Sequence, residues 1–288
     1  MLERRLGLGT APLAGLYDDV SDETARATVD AAWSRGVRHY DTAPLYGSGR
    51  AESRLGEALA GKPRDELTIS TKVGRVLVPG DPDPQFVGSP PLRPVFDYSA
   101  EGVRRSLRES MERLRLDRID VALLHDPEDH LDDARRALEV AREVAPTVGV
   151  GTNVVATARL LVERSEIDVV LLAGRYTLLD RSAGDELLPL CAERGVPVLA
   201  AGVFNSGILA GGTTFDYAAA PPDVVERRDA LAATCARHGV PLAAAAIQFP
   251  LRHPAVASVV VGARSPAEVD EDVRLLELLV PDALWDEL

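Results

Sequence analysis

Residues 22–41 read DETARATVDAAWSRGVRHYD and contain one complete unit of the fold. The segment up to Gly36 mixes charges with Ala, Val and Trp, as an amphipathic helix does. Ser21 and Asp22 are good N-cap residues for it, and Gly36 is a good stop. A short run, VRHYD (37–41), follows and ends on a carboxylate. The same alternation recurs along the chain. AESRLGEALAG precedes LTIST (67–71), AEGVRRSLRESMERLRL precedes IDVALLH (119–125), and LDDARRALEVAREVA precedes TVGVGTN (147–153). ATARLLVERSE precedes DVVLLAG (168–174), GDELLPLCAERG precedes VPVLAAG (196–202), and PLAAAAIQFPLRHP precedes VASVVVG, which ends before Ala263. With RLGLGT near the start there are eight strand candidates. The runs are apolar almost throughout rather than alternating, which suits parallel strands covered on both faces. Eight strand–helix units in 288 residues predict an α/β fold, a (β/α)8 TIM barrel forming a single domain over residues 1–288.

Two connections are too long for plain turns. GRVLVPGDPDPQFVGSPPLRPVFDYSA (74–100) leaves the third strand and GVFNSGILAGGTTFDYAAAPP (202–222) leaves the seventh. Both leave the carboxyl ends of strands, where a barrel builds its active site, so the first reads as a functional or mobile loop.

The composition narrows the function classes. Hydrophobic residues are 46% and charged residues 27%, as in ordinary globular proteins, while the net charge is −13 and the pI about 4.9. That field repels phosphate backbones and anionic lipid, which argues against nucleic acid or a membrane surface as partner and for a small-molecule substrate. Cys191 and Cys235 stand alone in helical stretches and read as buried hydrophobes of a reducing compartment. MLERRLGLG has no signal-peptide core, and no apolar run reaches membrane-spanning length, so a cytoplasmic location is expected. The acidic surface gives no self-complementary patch from which an oligomer could be read.

Four residue types converge on one chemistry. Asp41 ends the second strand, Tyr46 follows it in the next loop, Lys72 ends the third and His125 the fourth. Adjacent strands lie about 4.8 Å apart, so the four groups can share one pocket. A free phenol, with a pKa near 10, trades protons poorly at neutral pH. An adjacent ammonium lowers it, a carboxylate keeps that ammonium charged, and an imidazole can orient a substrate oxygen. The set predicts proton transfer at a carbonyl or alcohol with no metal. A Schiff-base lyase using Lys72 is a rival on the same barrel. GLGTAPLAG has close glycines but no Rossmann fingerprint. HDPEDH holds His125 and His130 among acids but lacks further ligands at a metal-binding spacing.

GVRHYDTAPLYGSGRAESRLGEAL, STKVG, LLHDP, GVGTN and VVVGARSPAEV stand in the order found in the aldo-keto reductases, and the chain resembles that family over essentially its whole length. The resemblance implies a catalytic tetrad of Asp41, Tyr46, Lys72 and His125, with Tyr46 as general acid/base and hydride exchanged with a nicotinamide cofactor. AGRYTLLD and GVFNSGILAG are similar to the branch containing L-fucose dehydrogenase, D-threo-aldose 1-dehydrogenase and pyridoxal 4-dehydrogenase. Many relatives carry Gln near Ala173 and Ser-Pro-Leu in place of GVF, so a different nicotinamide cradle is implied here, formed by Asn153, Gly202, Phe204 and Ser206. Gly207 and its neighbouring amides would meet the pyrophosphate, and Gly262, Arg264 and Ser265 the adenosine phosphate. Many NADP-dependent relatives have Arg near Glu268 and Asn near Asp272. The acids here would repel a 2′-phosphate and could bond a ribose diol, whereas Arg264 pulls the other way; the balance leans to NAD over NADP.

The implied function is oxidation of an aldose, of L-fucose or D-arabinose type, at C1 to the lactone. Tyr17, Arg93, Asp126 and Asn205 are candidates for holding sugar hydroxyls. Pyridoxal oxidation and general aldehyde or ketone reduction are the alternatives within the family. A non-catalytic, cofactor-binding sensing subunit is the alternative outside enzymology.

Overall fold

Ser21 accepts a hydrogen bond from the Thr24 amide and starts α1 (Asp22–Ser34), with Asp22 and Glu23 against the positive end of the helix dipole. The chain then turns into the second strand, His39–Asp41, so the helix–strand unit read from the sequence is the unit that forms. We describe residues 5–288 in a computed structural model. The expected domain begins at residue 1, so its first four residues lie outside the described residues.

The eight barrel strands are Leu6–Gly9, His39–Asp41, Thr68–Val73, Val121–His125, Thr147–Thr152, Val169–Ala173, Val198–Ala201 and Val256–Gly262. Each pairs in parallel with the next, and the eighth pairs with the first to close the barrel. All eight strand candidates are strands. The outer layer is α1, α2 (Arg50–Leu59), α3 (Ala100–Leu114), α4 (Leu131–Arg142), α5 (Val155–Arg164), α6 (Leu187–Arg194), α7 (Pro222–Arg237), α8 (Leu242–Gln248), α9 (Pro266–Glu277) and α10 (Asp282–Glu287). Cys191 and Cys235 are buried on α6 and α7. Among the described residues no single helix is long and apolar enough to cross a membrane.

The strands bury both faces, which accounts for their continuous apolar runs. One face packs under the helices. The other fills the barrel with Val121, Leu123, Val169, Leu171, Leu199 and Val260. Toward the carboxyl ends this filling gives way to polar groups. A long side chain needs space there, and TVGVGT provides it: a Cβ on Gly151 would lie 3.2 Å from Cε of Lys72. Gly149 answers a different demand, because a Cβ there would lie 1.9 Å from the Val169 carbonyl oxygen.

The segment after the third strand is more ordered than a loop. Arg75–Pro79 and Leu92–Phe96 form an antiparallel hairpin. Its base is fixed to α3, where Ser106 donates to the Arg75 carbonyl and Arg105 to the Leu77 carbonyl. Its far end folds back over the first loop: Val87 N–H donates to Gly15 O, Tyr17 N–H to Gln85 O, and Arg50 to Val87 O. The Val-rich RVLVP and LRPVF on either side of a Pro- and Gly-rich middle were the signal for these strands. The segment after the seventh strand holds a smaller hairpin, Thr214–Phe215 with Ala218–Ala219. Its tip residues, Asp216 and Tyr217, have φ of 45° and 66°. Two consecutive positive φ values match the tight turn that best follows strand twist, although neither residue is glycine.

The two glycines of the fifth strand should therefore differ on replacement. Gly149→Ala collides with backbone and is expected to cost about 3 kcal/mol or more. Gly151→Ala presses only on a side chain and should cost about 1 kcal/mol while disturbing Lys72. Urea unfolding of the two variants checks this order.

Candidate active site

Asp41 and Lys72 end neighbouring strands with both side chains turned into the barrel. Asp41 Oδ2 accepts from Lys72 Nζ at 2.7 Å, and Asp41 Oδ1 accepts from Ser70 Oγ at 2.7 Å. Lys72 also donates to the Thr42 carbonyl at 3.0 Å and is 2% exposed. Burial works to strip Lys72 of its proton, but Asp41 and then Tyr46 outweigh it, and its pKa ends above the usual value. Lys72 is thus a fixed ammonium rather than a free amine, which disfavours the Schiff-base rival.

Tyr46 sits in the loop after the second strand with its ring centre 4.9 Å from Lys72 Nζ. His125 meets that ring edge-on, at 5.9 Å between centroids and an interplanar angle of 90°. Phe86, from the segment between the hairpin strands, packs on Tyr46 at 6.1 Å. The structure thus brings the four expected groups together. It corrects one expectation. Burial raises the Tyr46 pKa, Lys72 lowers it and Asp41 raises it again, for a net upward shift. The ammonium opposes burial without overcoming it, so the phenol is held protonated near neutral pH. Burial, Arg75 and Lys72 push His125 well below its ordinary value, so it is a neutral imidazole.

Asp126 follows His125 with φ of 50°, its carboxylate 2.9 Å from Arg75 and 3.6 Å from His125 Nε2. Arg75 in turn lies over Phe96, 4.5 Å from the ring centre. His130 packs between Phe96 and Tyr98, with centroids at 4.9 and 5.0 Å, and so faces a different environment from His125.

The other expected residues spread around the mouth. Tyr17 is half-exposed; burial raises its phenol, opposed by a hydrogen bond with Ser206. Ser206 Oγ also accepts the Tyr217 amide at 3.0 Å. Asn205 is buried, donates to Gly174 O at 3.3 Å, and leaves Oδ1 without a partner. Asn153 is exposed, and its carbonyl accepts from Arg175, which also pairs with Asp180 and Asp216. Arg93 is exposed on the second hairpin strand, paired with Val78 and lying over Gly80; the structure does not bring it to the tetrad.

The residues expected to meet a dinucleotide have the following settings. Ala173, Gly174 and Gly202 put small residues at the ends of the sixth and seventh strands, and Phe204 is half-buried just beyond. Gly207 has φ of 99° with open space beside it, and Gly262 is exposed where a Cβ would lie 2.7 Å from Pro12. Ser265 caps α9 by accepting from the Glu268 amide, and a helix N-terminus favours phosphate. Arg264 is already engaged, 3.0 Å from Asp18 and 3.6 Å from Glu268. Asp272 is buried on α9 without a hydrogen bond or ion pair among the described residues; burial, then Glu268 and Glu271, push it up to about 7.

Ser70, Arg75, Phe86, Arg175 and Tyr217 were not singled out from the sequence. Ser70 had a legible signal, since it stands two residues before Lys72 and shares its strand face. The others reach the mouth through the two hairpins and a loop contact.

The aldo/keto reductase family profile matches residues 5–288. D-threo-aldose 1-dehydrogenase from a Pseudomonas species is 43% identical, over 98% of this chain and 92% of its own. Pyridoxal 4-dehydrogenase from Microbacterium luteolum is 42% identical, with the same coverage of 98% and 92%. A holo-form aldo-keto reductase structure from Bacillus halodurans superposes with a TM-score of 0.77 at 26% identity, covering 98% of this chain and 90% of that one. The family uses nicotinamide cofactors. A match over the whole described chain, two close full-length relatives and a tetrad assembled at the barrel mouth lead to one assignment: this oxidoreductase belongs to the aldo/keto reductase family.

Proposed function

We propose that the protein oxidises an aldose of L-fucose or D-arabinose type at C1, giving the lactone, with Tyr46 as general base. The observation that carries the reading is the arrangement of Tyr46 between a locked ammonium and a neutral imidazole, in a chain 43% identical to an aldose 1-dehydrogenase. When bound, the nicotinamide cofactor supplies the hydride acceptor. Tyr46 takes the proton of the C1 hydroxyl, and Lys72 stabilises the phenolate that must precede this. His125 holds the reacting oxygen by a hydrogen bond, since it does not titrate near neutral pH. Asp126, fixed by Arg75, faces the same space and is suited to accept from a neighbouring sugar hydroxyl. Tyr17 and Asn205 are the further candidates on the mouth, whereas Arg93 lies on the hairpin beside Gly80.

Pyridoxal is the second reading, favoured by the 42% identical pyridoxal dehydrogenase and by the aromatic lining from Phe86 and Tyr46. As a cyclic hemiacetal it presents the same hydroxyl-bearing carbon. Initial rates of NADH and NADPH formation with L-fucose, D-arabinose, L-galactose, D-glucose and pyridoxal separate the two. Tyr46→Phe should lower turnover by about 10²- to 10⁴-fold while cofactor binding, followed by protein fluorescence, is unchanged. Full turnover in that variant would remove Tyr46 as the base.

The pH dependence has a definite sign. Oxidation needs Tyr46 as phenolate, and its pKa lies above the ordinary value. The rate at limiting substrate should therefore climb with pH, about tenfold per unit, through the neutral and mildly alkaline range. Reduction needs the phenol and should stay level there. An oxidation profile that flattens near pH 7 would point to a different base.

NAD is the expected cofactor, with Glu268 and Asp272 beside the adenosine end and Arg264 engaged by acids. Asp272 also makes a stability prediction. The folded state retains its proton up to about pH 7, whereas the unfolded chain releases it near pH 4. Folding stability is thus lost as pH climbs from 4 through 7. Asp272→Asn should raise the thermal midpoint at pH 8 by about 3 °C, with the gain vanishing near pH 4, and should lower KM for NADP.

A further inference from the structure

The stretch that supplies Asp41 contains a second ionisable group that the mechanism leaves unused. His39 precedes Asp41 by two residues on the same strand and is 6% exposed. Its Nε2 lies 2.9 Å from Ser70 Oγ, and Ser70 Oγ lies 2.7 Å from Asp41 Oδ1. Ser70 has one hydroxyl proton. The carboxylate only accepts, so that proton goes to Asp41, and Ser70 must accept from His39. His39 therefore carries its hydrogen on Nε2 and has a bare Nδ1, which is buried with no hydrogen-bond partner among the described residues. The first strand makes room for that nitrogen, since a Cβ on Gly7 would lie 2.8 Å from it.

An apolar side chain of similar volume would suit this interior of Val121, Leu123 and Val260 without leaving a buried acceptor unsatisfied. The imidazole has one polar contact, and that contact is directed through Ser70 to the catalytic carboxylate. We infer that His39 and Ser70 are positioning residues: a buried strut that holds Asp41 Oδ1, so that Oδ2 is presented to Lys72, and that draws off part of the carboxylate's charge before it is felt at Tyr46. This deepens the proposed general-base role of Tyr46 and rests on it.

The groups facing Tyr46 define the expected sign. Lys72 favours the phenolate, Asp41 and Asp126 oppose it, His125 is neutral, and the phenol of Tyr217 stands nearby. His39 itself faces Asp41, Lys72 and Asp120, with burial keeping it neutral. Removing the strut leaves the Asp41 charge undamped and its carboxylate free to rotate off Lys72. The undamped charge opposes the phenolate directly, and an ammonium no longer anchored by the carboxylate is displaced from the phenol, so Tyr46 should titrate at higher pH.

The test uses Ser70→Ala, His39→Leu and His39→Gln, whose amide can restore the donor. Tyr46 is read by the ultraviolet tyrosinate difference between each NAD-saturated protein and its own Tyr46→Phe partner. Expected is an upward shift of about half a pH unit or more in Ser70→Ala and His39→Leu, with His39→Gln close to wild type. Oxidation of whichever of L-fucose, D-arabinose or pyridoxal turns over should fall about threefold or more near neutral pH in the first two, with KM for NAD unchanged. An unmoved titration accompanied only by a lower thermal midpoint would overturn the inference and make the pair a packing feature. A shift in Ser70→Ala alone would overturn the role of His39. If Tyr46→Phe itself keeps full turnover, the general-base reading fails instead, and the titration still reports on the strut.

Discussion

The Asp41–Lys72 pair is the constraint around which the rest of the barrel mouth is arranged. Two opposite charges lie inside a closed sheet, their side chains almost fully buried. Each ion alone would cost several kcal/mol to bury, and removing one partner of such a pair costs about 3–5 kcal/mol. The surroundings answer that demand contact by contact. The Thr42 carbonyl takes a second ammonium proton, Ser70 takes the second carboxylate oxygen, and Gly151 leaves a channel for the lysine stem. Strand order does the rest, because the second and third strands pair in parallel and bring the two side chains next to each other.

The charge so fixed governs its neighbours through distance and desolvation rather than through contact alone. Tyr46 is pulled in opposite directions by burial and by the ammonium, while His125 is emptied of charge by burial and by Arg75. Protonation preferences are thus divided among residues of one pocket by environment. The wall that produces the burial comes from the hairpin after the third strand: Phe86 covers Tyr46, and Arg75 holds Asp126.

Much of this was legible in the sequence, for identifiable reasons. The eight strands were marked by continuous apolar runs, and the tetrad by its position at their carboxyl ends. Those signals are local and periodic. What could not be read were distances through space. That Phe86 packs on Tyr46, and that Arg175 ties Asn153 to the tip residue Asp216, depend on how two long segments fold back. The direction of the Tyr46 shift was misread because residue types reveal an ammonium but not the depth of burial that opposes it. His39 and Ser70 lay between these cases: the period of two placed them on the inner face, but only the geometry joined them to Asp41.

The hairpin has a consequence for how such a protein can change over generations. Its root and its tip are unequally tied to the barrel mouth. At the root, Arg75 contributes to both the electrostatics of His125 and the position of Asp126, so substitutions there are felt by the chemistry. Toward the tip, residues 80–91 other than the buried Phe86 are mostly at the surface and touch the rest of the molecule chiefly through main-chain bonds. Those bonds tolerate new side chains. Side chains at the tip can therefore change with little effect on the Asp41–Lys72 pair beneath, so that one barrel can present different outer surfaces above the same buried floor.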